Sequence, residues 1–382
     1  MINKKNDEWD IESTFDTHYI NIANKNKSRG LTIGLEHEFF LLKSNNKPAD
    51  INDSQNFLKL FAKKSHWRIT EKKHGYITML GRDCKNGSYN SLKYEYPPHL
   101  MEIAFGYSTD LHTLHEIVSD FFNIAKIIAK QVGLKLNNLP YRNDIIPNLK
   151  LLKNIESNQY NLHKSRKIIA HNKNISDINI IEFPSYTAST QVHIGGFNFV
   201  NNDVLKNLYT IEPITNYLSL KNFIDSSSVF KNRWKNYTKL FGDTSLFLFP
   251  QTEGWGYKQW RDHLINEYLK IKNINLDIIE FVESARDLQI IKPKIYGTIE
   301  FRSSPAQPDI KNIMNLAAMK LAQSILSLEG FFFNYTEEAS KVWNRIILDP
   351  TLYETYILKF NKKLKKIFSN RKLGEEIYLL DR

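Results

Sequence analysis

The chain has 382 residues, room for one large domain or two ordinary ones, and its 42 % hydrophobic and 13 % aromatic content can fill a substantial core. A single cysteine, Cys84, excludes an intramolecular disulfide and points to a reducing, cytoplasmic setting; an N-terminus without an apolar core and the lack of any run near the roughly 18 apolar residues of a span argue against a secretory leader and a membrane helix. The net charge of +11 suits an anionic partner, but no zinc-finger, RNP-like or glycine-rich RNA motif accompanies it, so no nucleic-acid partner is expected.

Residues 1–30 are polar and weakly patterned and read as an arm, loose or briefly helical. From 31 to 382 the chain reads as a single domain with a helical C-terminal part. Strand patterns fall at 31–42, 75–80, 92–96, 100–105, 190–199 and 296–302. DLHTLHEIVSDFFNIAKIIAKQVGL (110–134) has Asp110 at its expected N-cap, apolar residues at helical spacing and Gly133 near its end. DVLKNLYTIEPITNYLSLKNFI (203–224) predicts two helical pieces around Pro213, since proline breaks the hydrogen-bond ladder. DIKNIMNLAAMKLAQSILSLEGFFF (309–333) is amphipathic. The tail from about 335 to 372 reads as helix, with the basic run NKKLKKIF (361–368) as its solvated face. No repeat, linker or shift of composition divides the chain. The pattern predicts an α+β fold, sheet inside and helices outside.

The first strand, LTIGLEHEFFLL (31–42), carries two carboxylates in an apolar run. Residues two apart in a strand share a face, about 6.5–7 Å apart. Ile33, Leu35, Phe39 and Leu41 then form a packing set, and Glu36 and Glu38 project together from the other side. YGTIEFRSSP (296–305) repeats the device with Thr298, Glu300, Arg302 and Ser304 against Ile299 and Phe301, and TQVHIGGF (190–197) with Gln191 and His193 against Val192 and Ile194. Glu95 and Glu102 lie in KYEYPPHLMEIAF, with Pro97 and Pro98 breaking the chain between them. Taken singly, each has an ordinary explanation: a solvated face, a surface ion pair between Glu300 and Arg302, a hydrogen-bonded core histidine. Taken together, five glutamates and one histidine aim away from the packing side. Five carboxylates with one imidazole suit Mg²⁺ or Mn²⁺ rather than zinc, and their charge is nearly offset by two divalent ions. Such ions in a cleft are equipment for handling a nucleoside triphosphate, and Arg302 could brace its transferring phosphoryl group.

GLEHEFFLL resembles the ExEFF strand of glutamine synthetases, and GTIEFRSSPAQP their I-E-x-R strand. The order and separation of the pieces, over roughly residues 31–310, are more similar to the glutamate–cysteine ligase family, carboxylate–amine ligases with a glutamine-synthetase-like catalytic fold. The matching residues are Gly34, Glu36 and Glu38, then Glu102 in MEIAF, then Gln191 and His193, then Glu300 and Arg302. EPITNYLSLKNFIDSSS (212–228), followed by Arg233 and Trp234, is similar to the family's QPIxxALFANS segment.

The resemblance implies a curved, mainly antiparallel sheet of glutamine-synthetase type forming an active-site funnel, with helices on its outer face. It implies ATP and Mg²⁺ (or Mn²⁺), two or more ions, as cofactors. Glu36 and Glu38 would lie between two metal sites, Glu95 and Glu102 completing the one nearer the amino-acid substrate and His193 and Glu300 the one nearer the ATP phosphates. Glu300 and Arg302 would be catalytic; Gln191, Gly195 and Arg302 would meet the nucleotide, Gly195 and Gly196 by close backbone approach. Arg142, Arg233 and Arg261 are the candidates for gripping substrate. The implied reaction is ATP-dependent amide formation through an acyl phosphate, with glutamate or another amino acid or short peptide as substrate. Close alternatives are an amide ligase modifying a peptide or natural product, and a kinase of the same fold. A homo-oligomer is compatible with all three.

Overall fold

The computed structural model describes residues 4–26, 30–95, 98–142, 187–196, 198–220, 256–270, 277–284, 289–294, 297–335, 337, 339–346 and 349–369. Its spine is strand β1 (Thr32–Lys43). β5 (Leu100–Ser108) pairs along one edge of β1, while β7 (Thr190–Gly195) and β6 (Leu134–Asn137) share the other edge, β7 along Thr32–His37 and β6 along Phe40–Lys43. Beyond β5 follow β4 (Tyr89–Tyr94), β3 (Tyr76–Asp83) and β2 (Arg68–Lys73); beyond β7 follow β9 (Thr298–Phe301) and β8 (Ile291–Pro293). Every pairing of these strands is antiparallel.

All six expected strands are present, though the one expected over 190–199 stops at Gly195. β2, β6 and β8 were not legible. RITEKK is largely exposed on an edge, and strands of four and three residues are too short to print an alternation. Pro293 sits in the edge strand β8, where a missing N–H costs no ladder bond.

One face of the sheet carries the helices. Ile33, Leu35, Phe39 and Leu41 are buried there with α2 (Ile51–Ser65), α3 (Leu111–Gln131) and, further along the chain, α7 (Ile310–Leu328). Asp110 caps α3 as expected, accepting from the Thr113 N–H, and Leu114, Val118, Phe121, Phe122 and Ala125 form its buried stripe. His37 shares this face and is fully buried. Its Nδ1 lies 2.8 Å from Thr190 Oγ1, its ring meets Phe122 edge-on, and burial lowers its pKa to about 4.

Three helical expectations are corrected. The N-terminal stretch is neither a loose arm nor a short helix: α1 (Lys4–Asn26) spans 23 residues and buries Phe15, Tyr19 and Ala23, with Phe15 and Tyr19 against Trp260. Three apolar contacts among polar neighbours make a weak sequence signal but a firm anchor. α4 (Asn202–Leu220) runs unbroken through Pro213, because Leu208, Ile211 and Ile214 are all buried and α4 packs along α7. The tail is not one helix. α8 (Ala339–Ile346) and α9 (Glu354–Ser369) are separated by a 3₁₀ turn at Pro350–Tyr353, capped by Asp349. The remaining helices are α5 (Tyr257–Lys270) and α6 (Ile278–Ser284). No helix among the described residues is long and apolar enough to cross a membrane.

Candidate active site

The other face of the sheet collects the carboxylates. Opposed residues of an antiparallel pair put their side chains on one face, close together, and the register exploits this repeatedly. Glu38 on β1 stands opposite Glu102 on β5, which stands opposite Lys93 on β4. Glu36 stands opposite Gln191 on β7, and His193 opposite Glu300 on β9. Glu95 follows β4 directly; its N–H donates to the Leu100 carbonyl at 3.0 Å, which turns it into the same group. Beside Glu38, Phe40 and Leu42 join Leu100, Ala188 and Ala306 in a small apolar cluster that closes one end of this face.

The result is two trios. One potential ligand atom from each of Glu36, His193 and Glu300 lies within 4.8 Å of the others, and the same is true of Glu38, Glu95 and Glu102. A hard cation held about 2.0–2.6 Å from each ligand leaves those ligands no more than about 5 Å apart, so either trio has the size to close on one ion. The chemistry of the donors agrees. Burial acts to raise the Glu36 carboxyl, but His193, whose Nε2 lies 3.2 Å from Glu36 Oε1, outweighs it and holds the group at about 2. Burial would likewise raise Glu300; Arg302 first, then Lys294 at 3.2 Å, His193 and Lys292 hold it well below the usual carboxylate range. Glu102 is the reverse. Burial pushes it up despite Lys93, with the charge of Glu36 adding to the rise. A cation beside Glu102 would oppose that rise.

Further bonds fix the side chains. Glu38 Oε2 accepts from the Ser189 N–H at 2.7 Å. Arg302 donates to Gln191 Oε1 at 2.8 Å and also to Glu300, so Gln191 and Glu300 aim the guanidinium along the boundary between β7 and β9. Lys93 Nζ is 2.9 Å from Glu102 Oε1 and 3.7 Å from Glu95 Oε2.

The other expected residues are placed differently. Arg261 lies on α5 and its guanidinium meets Glu12, Asp16 and Asp262, an ion cluster that ties α5 to α1; none of these described contacts is with the trios. Arg142 donates to the Asn46 carbonyl at 3.1 Å, beside the turn that follows β1. Arg233 and Trp234 lie outside the described residues. Gly196 has a reason within the chain: its φ is +87°, and a Cβ there would meet the Gly30 carbonyl oxygen at 1.6 Å. Gly195 is crowded by Thr32 and Thr298, so close strand pairing already accounts for it. Sequence reasoning missed Lys93 and Lys294. Lys93 lies two before Glu95, the same spacing that exposed the other pairs, but a lysine in a lysine-rich chain carried no signal.

An open antiparallel sheet with helices on one face and this carboxylate group on the other defines the class of the molecule, an α+β protein with a candidate cation-binding face. No protein-family model and no curated protein matches the chain. Among solved structures it is similar to GmaS without ligand, with 13 % identity over 97 % of this chain and 76 % of that one and a TM-score of 0.38. It is similar also to a GmaS–ADP complex (12 %, 94 % and 74 %, 0.36) and to a novel glutamine synthase homologue (11 %, 95 % and 71 %, 0.34).

Proposed function

We propose that the chain is an ATP-dependent carboxylate–amine ligase of glutamine-synthetase type, similar in its motifs to the glutamate–cysteine ligases and built as one catalytic domain. The observation that supports this is the sorting of six side chains into two trios. Glu36, His193 and Glu300 would hold a cation beside the ATP phosphates, and Glu38, Glu95 and Glu102 one beside the substrate. Mg²⁺ or Mn²⁺ held by these residues would supply charge neutralisation for the phosphates.

The chain's own residues position and neutralise. Arg302, steered by Gln191 and Glu300, would sit against the γ-phosphoryl group as its charge spreads. An oxygen of the substrate carboxylate attacks the γ-phosphorus and ADP leaves. The amine nitrogen then attacks the acyl carbon, inorganic phosphate leaves, and the nitrogen gives up a proton. Juxtaposing carboxylate, phosphorus and amine is the larger part of such catalysis. On this reading the substrates are small amino acids or short peptides in a cytoplasmic setting, and glutamate is the first carboxylate to try.

The test is phosphate release from Mg·ATP with glutamate present and single amines, cysteine first, added in turn. The expected result is release that depends on both partners, with ADP and a new amide mass. A phosphorylated acceptor formed with no amine would replace the ligase by a kinase of the same fold. No turnover under any pairing, with divalent ion bound, would remove the enzyme assignment.

A further inference from the structure

Lys93 is a feature of this face that the ligase reading does not use. It sits in a row with Glu102 and Glu38 across three neighbouring strands. Its ammonium makes a 2.9 Å contact with Glu102 Oε1 and lies 3.7 Å from Glu95 Oε2, so it reaches two of the three members of that trio. Its side chain is 32 % exposed, whereas that of Glu102 is 5 % exposed: the lysine closes over the carboxylates from the solvent side.

We infer that Lys93 is a built-in cation of the Glu38–Glu95–Glu102 trio, one that holds the carboxylates together without an ion and competes with a divalent ion for them. The inference rests on the reading of this trio as a cation site. An ammonium and a metal ion use the same carboxylate lone pairs, the first at about 2.7–2.9 Å and the second at about 2.0–2.6 Å. With Lys93 in place the trio has three negative charges and one positive. Without it the buried Glu38 and Glu102 and the partly buried Glu95 lose that positive charge. A divalent ion entering beside Lys93 meets a like charge at short range in a poorly screened place, and that repulsion lowers its affinity. Lys93 is thus a positioning residue that keeps the site assembled and sets how tightly it takes its ion.

The experiment is Mn²⁺ titration of the full chain, read by electron paramagnetic resonance, with the thermal midpoint measured at each Mn²⁺ concentration. The proteins are wild type, Lys93→Met, Lys93→Arg, and Glu38→Gln alone and combined with Lys93→Met. Lys93→Met is expected to bind Mn²⁺ at least about tenfold more tightly than wild type. It should melt lower without the ion and recover the wild-type midpoint with it. Lys93→Arg, which keeps the charge, should stay near wild type and shows that the site tolerates substitution. Adding Glu38→Gln should abolish the gain, which places the ion at this trio. Equal or weaker Mn²⁺ binding in Lys93→Met, with Lys93→Arg folded and wild-type-like, would overturn the inference alone. Mn²⁺ binding that Glu38→Gln leaves untouched in every background would remove the cation-site reading, and the inference with it.

Discussion

Glu38 and Glu102 face each other across the β1–β5 ladder, and Glu300 and His193 across the β7–β9 ladder. The two trios therefore hang on different strand pairs, and β1 contributes to both, through Glu38 in one and Glu36 in the other. Their ions should be separable by mutation. Glu38→Gln is expected to lower Mn²⁺ affinity at least about 100-fold at the first trio, and Glu300→Gln at the second, each leaving one ion bound. Counting bound Mn²⁺ in the two variants checks this; two ions retained in both would mean the trios are not the sites.

Arg302 bridges Gln191 and Glu300, and no other arginine is described in hydrogen bonds to this pair. Arg302→Ala should raise the barrier to phosphoryl transfer by about 3–4 kcal/mol, a loss of roughly 100- to 1000-fold in kcat. ATP turnover at saturating Mg·ATP is the measurement. A change confined to KM would assign Arg302 to ground-state binding instead.

Beneath the site, on the helix side, Lys320 on α7 and Glu212 on α4 form an ion pair in which both side chains are fully buried, with both carboxylate oxygens 2.8 Å from Nζ. Thr215 Oγ1 and Gln323 complete the shell, and Ser303 donates to Glu212 at 2.6 Å, which ties the residue after Arg302 to the helices. Lys320→Met strands Glu212 in the interior and should cost about 3–5 kcal/mol of stability in a denaturant titration. Replacing both, Lys320→Met with Glu212→Leu, should recover most of that. A double variant no more stable than the single would show the network is needed for more than its charge balance.

His37 titrates against folding. Its ordinary value is 6.5 and burial lowers it to about 4 in the fold, so between those values the unfolded chain binds a proton that the native chain refuses. Its contribution is complete above pH 6.5 and is lost as pH falls towards 4, a swing of roughly 3 kcal/mol. The stability difference between wild type and His37→Gln, measured from pH 7 to pH 4, should shrink by that order as pH falls. A constant difference would show that the native ring is protonated without penalty.

Local chemistry made much of this chain legible. The period-two alternation in GLEHEFFLL and TIEFRSS placed Glu36, Glu38 and Glu300 on strands, with Arg302 one residue past the end of β9; helical spacing placed α3 and α7, the first with its aspartate cap. Where a signal was local and strong, the element is there. The misses share one cause. α1 fully buries three apolar residues among many polar ones, and α4 passes through Pro213 because its neighbours are buried, so long-range packing outweighs local preference in both. An arginine's partners are likewise invisible in sequence: besides Asp262 beside it, Arg261 meets Glu12 and Asp16 of α1, the latter 245 residues away.

The sequence by itself determined which side chains share a face, since that depends only on strand periodicity. Tertiary structure alone decided which faces meet. The registers that set Glu38 against Glu102 and His193 against Glu300 are fixed by backbone hydrogen bonds between segments far apart in the chain, and no local pattern encodes them, whereas Lys93 reaches the first pair through the neighbouring strands β4 and β5.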